Sequence, residues 1–236
     1  MRDAKHSSIV ELFWATATKE QYILGLECKY IFQFNAFPRF GIFVVMDGGE
    51  LFYQLKNLVY FSEDLSRHVT LQVARGIRHL HRQGVVHRDI KLENVLFNRI
   101  PIVPSRSPKQ RPAYGDSNKD DEGEFTFGHG GGGIGRVKIA DFGLSKATKD
   151  SETRTVCGTV GYMAPEIVKR EPYNMDVDVW ALGCLLYTIL CGFHPFPEDG
   201  TDDKVASGSY SFPSPWWDDI SASGMLNFLL LRRFPS

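Results

Sequence analysis

The sequence predicts an α+β protein dominated by two long helices, and three observations carry that prediction. Residues 61–84, FSEDLSRHVTLQVARGIRHLHRQG, set Leu65, Val69, Val73, Ile77 and Leu80 at helical spacing. Residues 175–192, MDVDVWALGCLLYTILCG, are apolar on nearly every side, the pattern of a helix surrounded by protein. Between them lie short β-like pieces, NVLF and RVKIADF.

Each element has local justification. Ser62 is a helix-start signal, because its side chain can accept an orphan N–H of the first turn, and the acidic Glu63 and Asp64 follow it. Gly84 stops the run. Residues 101–135 change character, being rich in Pro, Gly and charge without an apolar period. They read as a disordered or loosely held insertion, basic first and acidic afterwards. No internal repeat is visible.

Composition narrows the function classes. The chain has 236 residues, 43% hydrophobic and 23% charged, with a formal net charge of −1. Those are globular proportions, and near-neutrality gives no electrostatic case for nucleic acid or for an anionic membrane as partner. The cysteines Cys28, Cys157, Cys184 and Cys191 lack metal-ligand spacing, and the last two fall in the apolar helical run. Buried free thiols in a reducing compartment are therefore expected. The opening MRDAKHSSIV is polar, unlike a secretory signal. The most apolar run, 30–46, contains Pro38, Arg39 and Gly41 and is short for a membrane span. The expected location is cytoplasmic or nuclear.

The chemistry concentrates in VVHRDIKLENVLF, residues 85–97. HRDIKLEN puts Asp89, Lys91 and Asn94 on one short loop, after a helix and before a strand. KIADFG then places Asp141 at a strand end beside Phe142 and Gly143, and CGTVGYMAPE follows. Each element alone is a modest signal; three in order, with a buried helix after them, are a strong one. On these residues the sequence resembles the protein kinases, and Lys91 marks the serine/threonine branch.

The resemblance implies a protein-kinase-like fold, a mainly α-helical large lobe with a partial small-lobe β-sheet, using ATP and Mg²⁺ on protein substrates. It implies that Asp89 accepts the proton of the attacking hydroxyl and Lys91 neutralises charge on the transferring phosphoryl. Asn94 and Asp141 would hold Mg²⁺ through oxygen, as a hard cation requires. Glu27, at the hinge, would contact the nucleotide. His87 and Arg88 would brace the loop, and Asp178 would anchor its backbone. In the segment DSETRTVCGTVGYMAPE, Thr155 matches a position often phosphorylated, where a phosphate could pair with Arg88. An exposed Thr in a flexible loop is the alternative. Thr159 matches a residue that contacts Asp89 and Lys91, and Glu166 is the carboxylate of the APE motif.

GGELFYQL, YFSEDLSRHV, the insertion and SPWWDDIS are together similar to one fungal subfamily of the calmodulin-dependent-kinase-like group. The resemblance implies an upstream stress-activated MAP kinase as partner and a role in stress signalling. Ser107-Pro108 and Ser214-Pro215 are minimal sites for a proline-directed kinase.

The family pattern is also broken. No GxGxxG precedes the catalytic loop, and no strand Lys with a helix Glu partner is found there. The expected organisation is a small-lobe and hinge remnant over 1–49, a large lobe over 50–223 and a divergent tail over 224–236. Residues 28–45 interrupt the hinge as an aberrant insertion. Cys-Lys-Tyr at 28–30 and Gly-Met at 224–225 can both be encoded by splice-donor sequences, so both stretches read as translated introns. A genuine hinge insertion and tail are the alternative. The chain is therefore expected to be an inactive or impaired kinase, with a non-catalytic binding module or a mis-spliced product as the other readings. Glu166 is expected to lack its family Arg partner.

Overall fold

The computed structural model describes residues 5–17, 22–26, 46–107, 119–147, 155–196 and 201–225. Glu27, the stretch 28–45 and residues 226–236 lie outside them.

In chain order, β1 (Leu12–Ala17) pairs antiparallel with β2 (Tyr22–Leu26). After β3 (Gly49–Glu50) come α1 (Leu51–Leu58), α2 (Glu63–Arg82) and β4 (Val85–Val86). One 3₁₀ turn, Leu92–Asn94, leads into β5 (Val95–Arg99), and a second spans Val160–Tyr162. β6 (Ile134–Ile139) and β7 (Lys146–Ala147) are next, then α3 (Pro165–Val168), α4 (Asp176–Cys191) and α5 (Thr201–Ser207).

The two long helices occupy the predicted positions. Ser62 caps α2, its hydroxyl accepting the Leu65 N–H, and Leu65, Val69, Val73, Ile77 and Leu80 are all buried. Removing such a side chain from water is worth about 1.5–3 kcal/mol, which makes this stripe the main anchor of α2. α2 packs against α4, whose apolar residues are buried on nearly every side. No helix among the described residues is long and apolar enough to cross a membrane.

The sheets are small, and their register sets the geometry of the loop over 87–94. β3, β5 and β6 form an antiparallel sheet in which Val95 faces Ile139 and Phe97 faces Val137. That register brings Asn94 alongside Ala140, with the Ala140 N–H donating to the Asn94 carbonyl at 2.8 Å. The N-terminal segment joins the edge of β6: Ile139 N–H donates to the Ser8 carbonyl and Val10 N–H to the Ile139 carbonyl, each at 2.9 Å.

The expected disorder of 101–135 is corrected over the described residues, 101–107 and 119–135. Glu122 is buried, accepting the Ser62 N–H at 2.8 Å and the Ser62 hydroxyl at the start of α2. Lys119 donates to the Leu58 and Tyr60 carbonyls at 3.0 and 2.5 Å, lies 4.2 Å over the Tyr60 ring and is 3.6 Å from Glu122. Gly132 has φ +57°, and a Cβ there would meet Leu58 and Leu65 at 2.8 Å, so the glycine run is fitted against the core. Composition misled because this segment is held by a buried ion pair and backbone hydrogen bonds, which leave no apolar period.

Candidate active site

The loop between β4 and β5 is positioned from below by α4. Asp178, buried in the first turn of that helix, accepts the backbone N–H groups of His87 and Arg88 at 2.9 and 2.8 Å. His81, in the last turn of α2, contacts the same carboxylate through Nε2 at 2.8 Å. Three donors satisfy a carboxylate that burial would otherwise make costly.

His87 is fully buried and works as a structural hub. Its Nε2 donates to the Ala140 carbonyl at 3.1 Å and its Nδ1 accepts the Asp89 N–H at 3.3 Å, which assigns a neutral imidazole with the proton on Nε2. Burial pushes its pKa down, against the opposing pull of Asp178, the Ala140 carbonyl, Asp89 and Asp141. Phe142 packs edge-on to the ring at 5.0 Å between centroids. One side chain thus ties the 87–94 loop to the end of β6.

Asp89, Lys91, Asn94 and Thr159 form one network. Thr159 Oγ1 donates to Asp89 Oδ1 at 2.9 Å and accepts from Lys91 Nζ at 2.8 Å, while Nζ lies 3.1 Å from Asp89 Oδ2. Asn94 Nδ2 donates to the Asp89 carbonyl and to Oδ2 at 2.8 and 2.9 Å. Asp89 is only 9% exposed, so Lys91 and Asn94 compensate a largely desolvated charge. The arrangement grips a hydroxyl between a carboxylate and an ammonium, the grouping needed to take a proton from an alcohol.

Asp141 comes directly after Ala140 and is exposed, with φ +57°, its Oδ1 accepting the Gly143 N–H at 3.0 Å. Asn94 spends its amide nitrogen twice on Asp89, which leaves its carbonyl oxygen as a donor to a cation. Among the described residues no group of three or more His, Cys, Asp or Glu could hold a metal. An amide oxygen and a carboxylate suit Mg²⁺, which takes few protein ligands and completes its shell with substrate phosphates and water. The residues present fit that ion.

The segment 155–159 crosses the loop. Thr155 is exposed, and its carbonyl accepts the Tyr173 hydroxyl at 2.7 Å. Arg88, itself at φ +71°, donates from Nη1 to that hydroxyl at 3.4 Å and from Nε to the Leu144 carbonyl at 2.5 Å. Gly158 has φ +111°, and a Cβ there would lie 2.9 Å from the Arg88 carbonyl, so only glycine lets the two backbones meet this closely. Glu166 is half-buried, with no ion pair among the described residues. Burial, with help from Asp176 and Glu171, pushes its carboxyl pKa up.

Asp89, Lys91, Asn94 and Thr159 therefore meet directly. His87, Arg88 and Asp178 brace them, and Asp141 is attached through Ala140. Glu27 falls outside the described residues, and Glu166 stands apart from the network. Sequence reasoning missed His81 and Tyr173, which have no motif of their own and act through distant partners. It also missed Glu50 and Glu93. The Glu50 carboxyl pKa is pushed up by burial and by Glu93, whose Oε2 is buried without a hydrogen-bond partner among the described residues. Both lie inside quoted motifs, GGELFYQL and HRDIKLEN, so a count of carboxylates around the loop could have found them.

Comparison with known proteins identifies the family. The protein kinase domain family matches residues 1–229. The chain is 55% identical over 227 residues to the serine/threonine-protein kinase srk1 of Schizosaccharomyces pombe, covering 94% of this chain and 36% of that protein. It is 55% identical over 181 residues to the serine/threonine-protein kinase RCK2 of Saccharomyces cerevisiae, covering 75% and 30%. A calcium/calmodulin-dependent protein kinase type II of S. pombe is 48% identical over 227 residues, covering 94% and 41%. The chain thus spans roughly a third of the length of these curated relatives. With the family match over residues 1–229 and these likenesses, this chain belongs to the protein kinase family, among its serine/threonine kinases.

Proposed function

We propose that these residues form the catalytic-loop half of an enzyme that moves the γ-phosphoryl of ATP to a Ser or Thr hydroxyl of a protein. The observation that supports it best is the Thr159 hydroxyl held between Asp89 and Lys91 at 2.9 and 2.8 Å. A substrate hydroxyl gripped the same way would give its proton to Asp89, while Lys91 faces the incoming negative charge. Asn94 and Asp141 would hold Mg²⁺, which supplies charge neutralisation at the phosphates when bound. Glu50 and Glu93, close enough that Glu93 adds to the burial that raises the Glu50 carboxyl pKa, favour a basic residue in the substrate.

Two finer readings accompany this. A stress-activated MAP kinase acts upstream, supported by the exposed Ser107 that precedes Pro108. Thr155 is a phosphorylation site, supported by its exposure and by the Arg88 guanidinium bonded to the Tyr173 hydroxyl that holds its carbonyl. We also propose that residues 1–236 alone turn over slowly, since no GxGxxG loop precedes Asp89 to position the phosphates. Incubation with [γ-³²P]ATP, Mg²⁺ and an Arg-containing Ser peptide tests this. Slow transfer is expected, falling about 100-fold or more in Asp89→Asn, the scale of a lost general base. Transfer indifferent to Asp89→Asn contradicts the assignment, and ordinary kinase rates contradict the impaired activity.

A further inference from the structure

Tyr173 lies between α3 and α4, outside every motif that the sequence displays, yet its hydroxyl sits where three chain segments meet. Its ring belongs to the main apolar core and is only 5% exposed, so the core fixes where the oxygen points. The oxygen donates to the Thr155 carbonyl at 2.7 Å, accepts from Arg88 Nη1 at 3.4 Å and lies 3.6 Å from Cys157 Sγ. Burial raises the Tyr173 pKa, with the Arg88 hydrogen bond opposing, so the group keeps the proton it donates. Arg88 in turn reaches the Leu144 carbonyl, three residues beyond Asp141.

We propose that Tyr173 is a positioning residue that sets the register of the 155–159 segment over the catalytic loop. The segment is pinned at its far end by Thr159 on Asp89 and Lys91, next to the close pass of Gly158 over the Arg88 carbonyl. Among the described residues Tyr173 fixes the near end, through a backbone carbonyl that any residue at 155 would supply. The hydroxyl also fixes the Arg88 guanidinium, which joins the loop to the backbone just past Asp141. One phenolic O–H therefore couples the acceptor side of the site to the segment that carries the candidate Mg²⁺ ligand. The consequence for phosphoryl transfer rests on the function proposed above, but the ordering itself does not.

The test is Tyr173→Phe in the full chain, which keeps the ring in the core and removes one oxygen. Iodoacetamide labelling of Cys157, resolved by peptide mapping, and amide exchange over 155–159 report the order of the segment; Cys184 and Cys191 are buried and serve as internal references. Loss of the bridging hydrogen bonds is expected to raise both rates about fivefold, with exchange in α4 unchanged. Unchanged labelling and exchange at 155–159 overturn the proposal. So does a uniform rise that includes α4, because that is the signature of a merely structural residue. Arg88→Lys, which removes the planar donor to the same oxygen, is expected to raise labelling of Cys157 in the same direction. A failure of phosphoryl transfer leaves these readouts intact, so the two proposals fail separately.

Discussion

Asp178 holds the backbone of the 87–94 loop from a helix ninety residues further along the chain, through N–H bonds from His87 and Arg88 at 2.9 and 2.8 Å. A carboxylate placed there converts the rigidity of a buried helix into rigidity of the loop that carries Asp89. His81 adds a side-chain donor at 2.8 Å, so the anchor also ties α2 to α4.

Asp178→Asn removes the charge and turns an amide N–H₂ toward groups that can only donate. The expected loss of stability is about 2–3 kcal/mol, the worth of hydrogen bonds to a charged acceptor. Urea denaturation measures it. Amide exchange at His87 and Arg88 should rise more than exchange within α4.

Acid should destabilise the fold through His87. Its pKa is lowered in the folded chain by burial, so between that value and the ordinary 6.5 the unfolded chain binds more protons. Stability from this group is present above pH 6.5 and is lost as pH falls below it. His6, stacked on His79 at 4.9 Å, shifts the same way, through burial first and then through the nearby His79, Arg78 and Arg75. Urea midpoints at pH 5.5 and 7.5 should differ in that sense, and His87→Gln should flatten the difference.

Glu166 runs the other way. Its folded pKa is raised above the ordinary 4.5, so its ionisation opposes folding and stability declines as pH rises beyond that value. Glu166→Gln should therefore hold or raise the melting temperature at pH 7.5, and should make no gain at pH 4.

The buried pair in the insertion predicts a coupled effect. Glu122→Ala leaves the Lys119 ammonium in a site where its side chain is 8% exposed, and it leaves the Ser62 N–H unsatisfied. A cost of about 3 kcal/mol is expected. Lys119→Met combined with Glu122→Gln should cost less than Glu122→Ala alone, because no bare charge remains. Calorimetry on the three variants gives the comparison.

How much of the fold is legible in the sequence depends on how far each interaction reaches. The helices around Leu65–Leu80 and 175–192 are legible because apolar periodicity is local. Asp89, Lys91, Asn94 and Asp141 are legible as candidates because they fall in two short runs, HRDIKLEN and KIADFG, whose residue types stand close together in the chain. The order around Glu122 is not, since a single carboxylate capping α2 from sixty residues away leaves no pattern. Tyr173 and His81 are hidden for the same reason, each acting through one atom on a distant partner. The pairing of Glu50 with Glu93 requires the loop and α1 to be placed together first.

The most direct test of the account is Mn²⁺ binding in the presence of ATP, followed by electron paramagnetic resonance, since Mn²⁺ reports on an oxygen site suited to Mg²⁺. The chain is expected to hold the ion with nucleotide, and Asp141→Asn to weaken it about tenfold or more, as loss of a charged ligand should. Equal affinity in the chain and in Asp141→Asn would contradict it, because the ion would then be held somewhere other than beside Asn94 and the Asp89 loop.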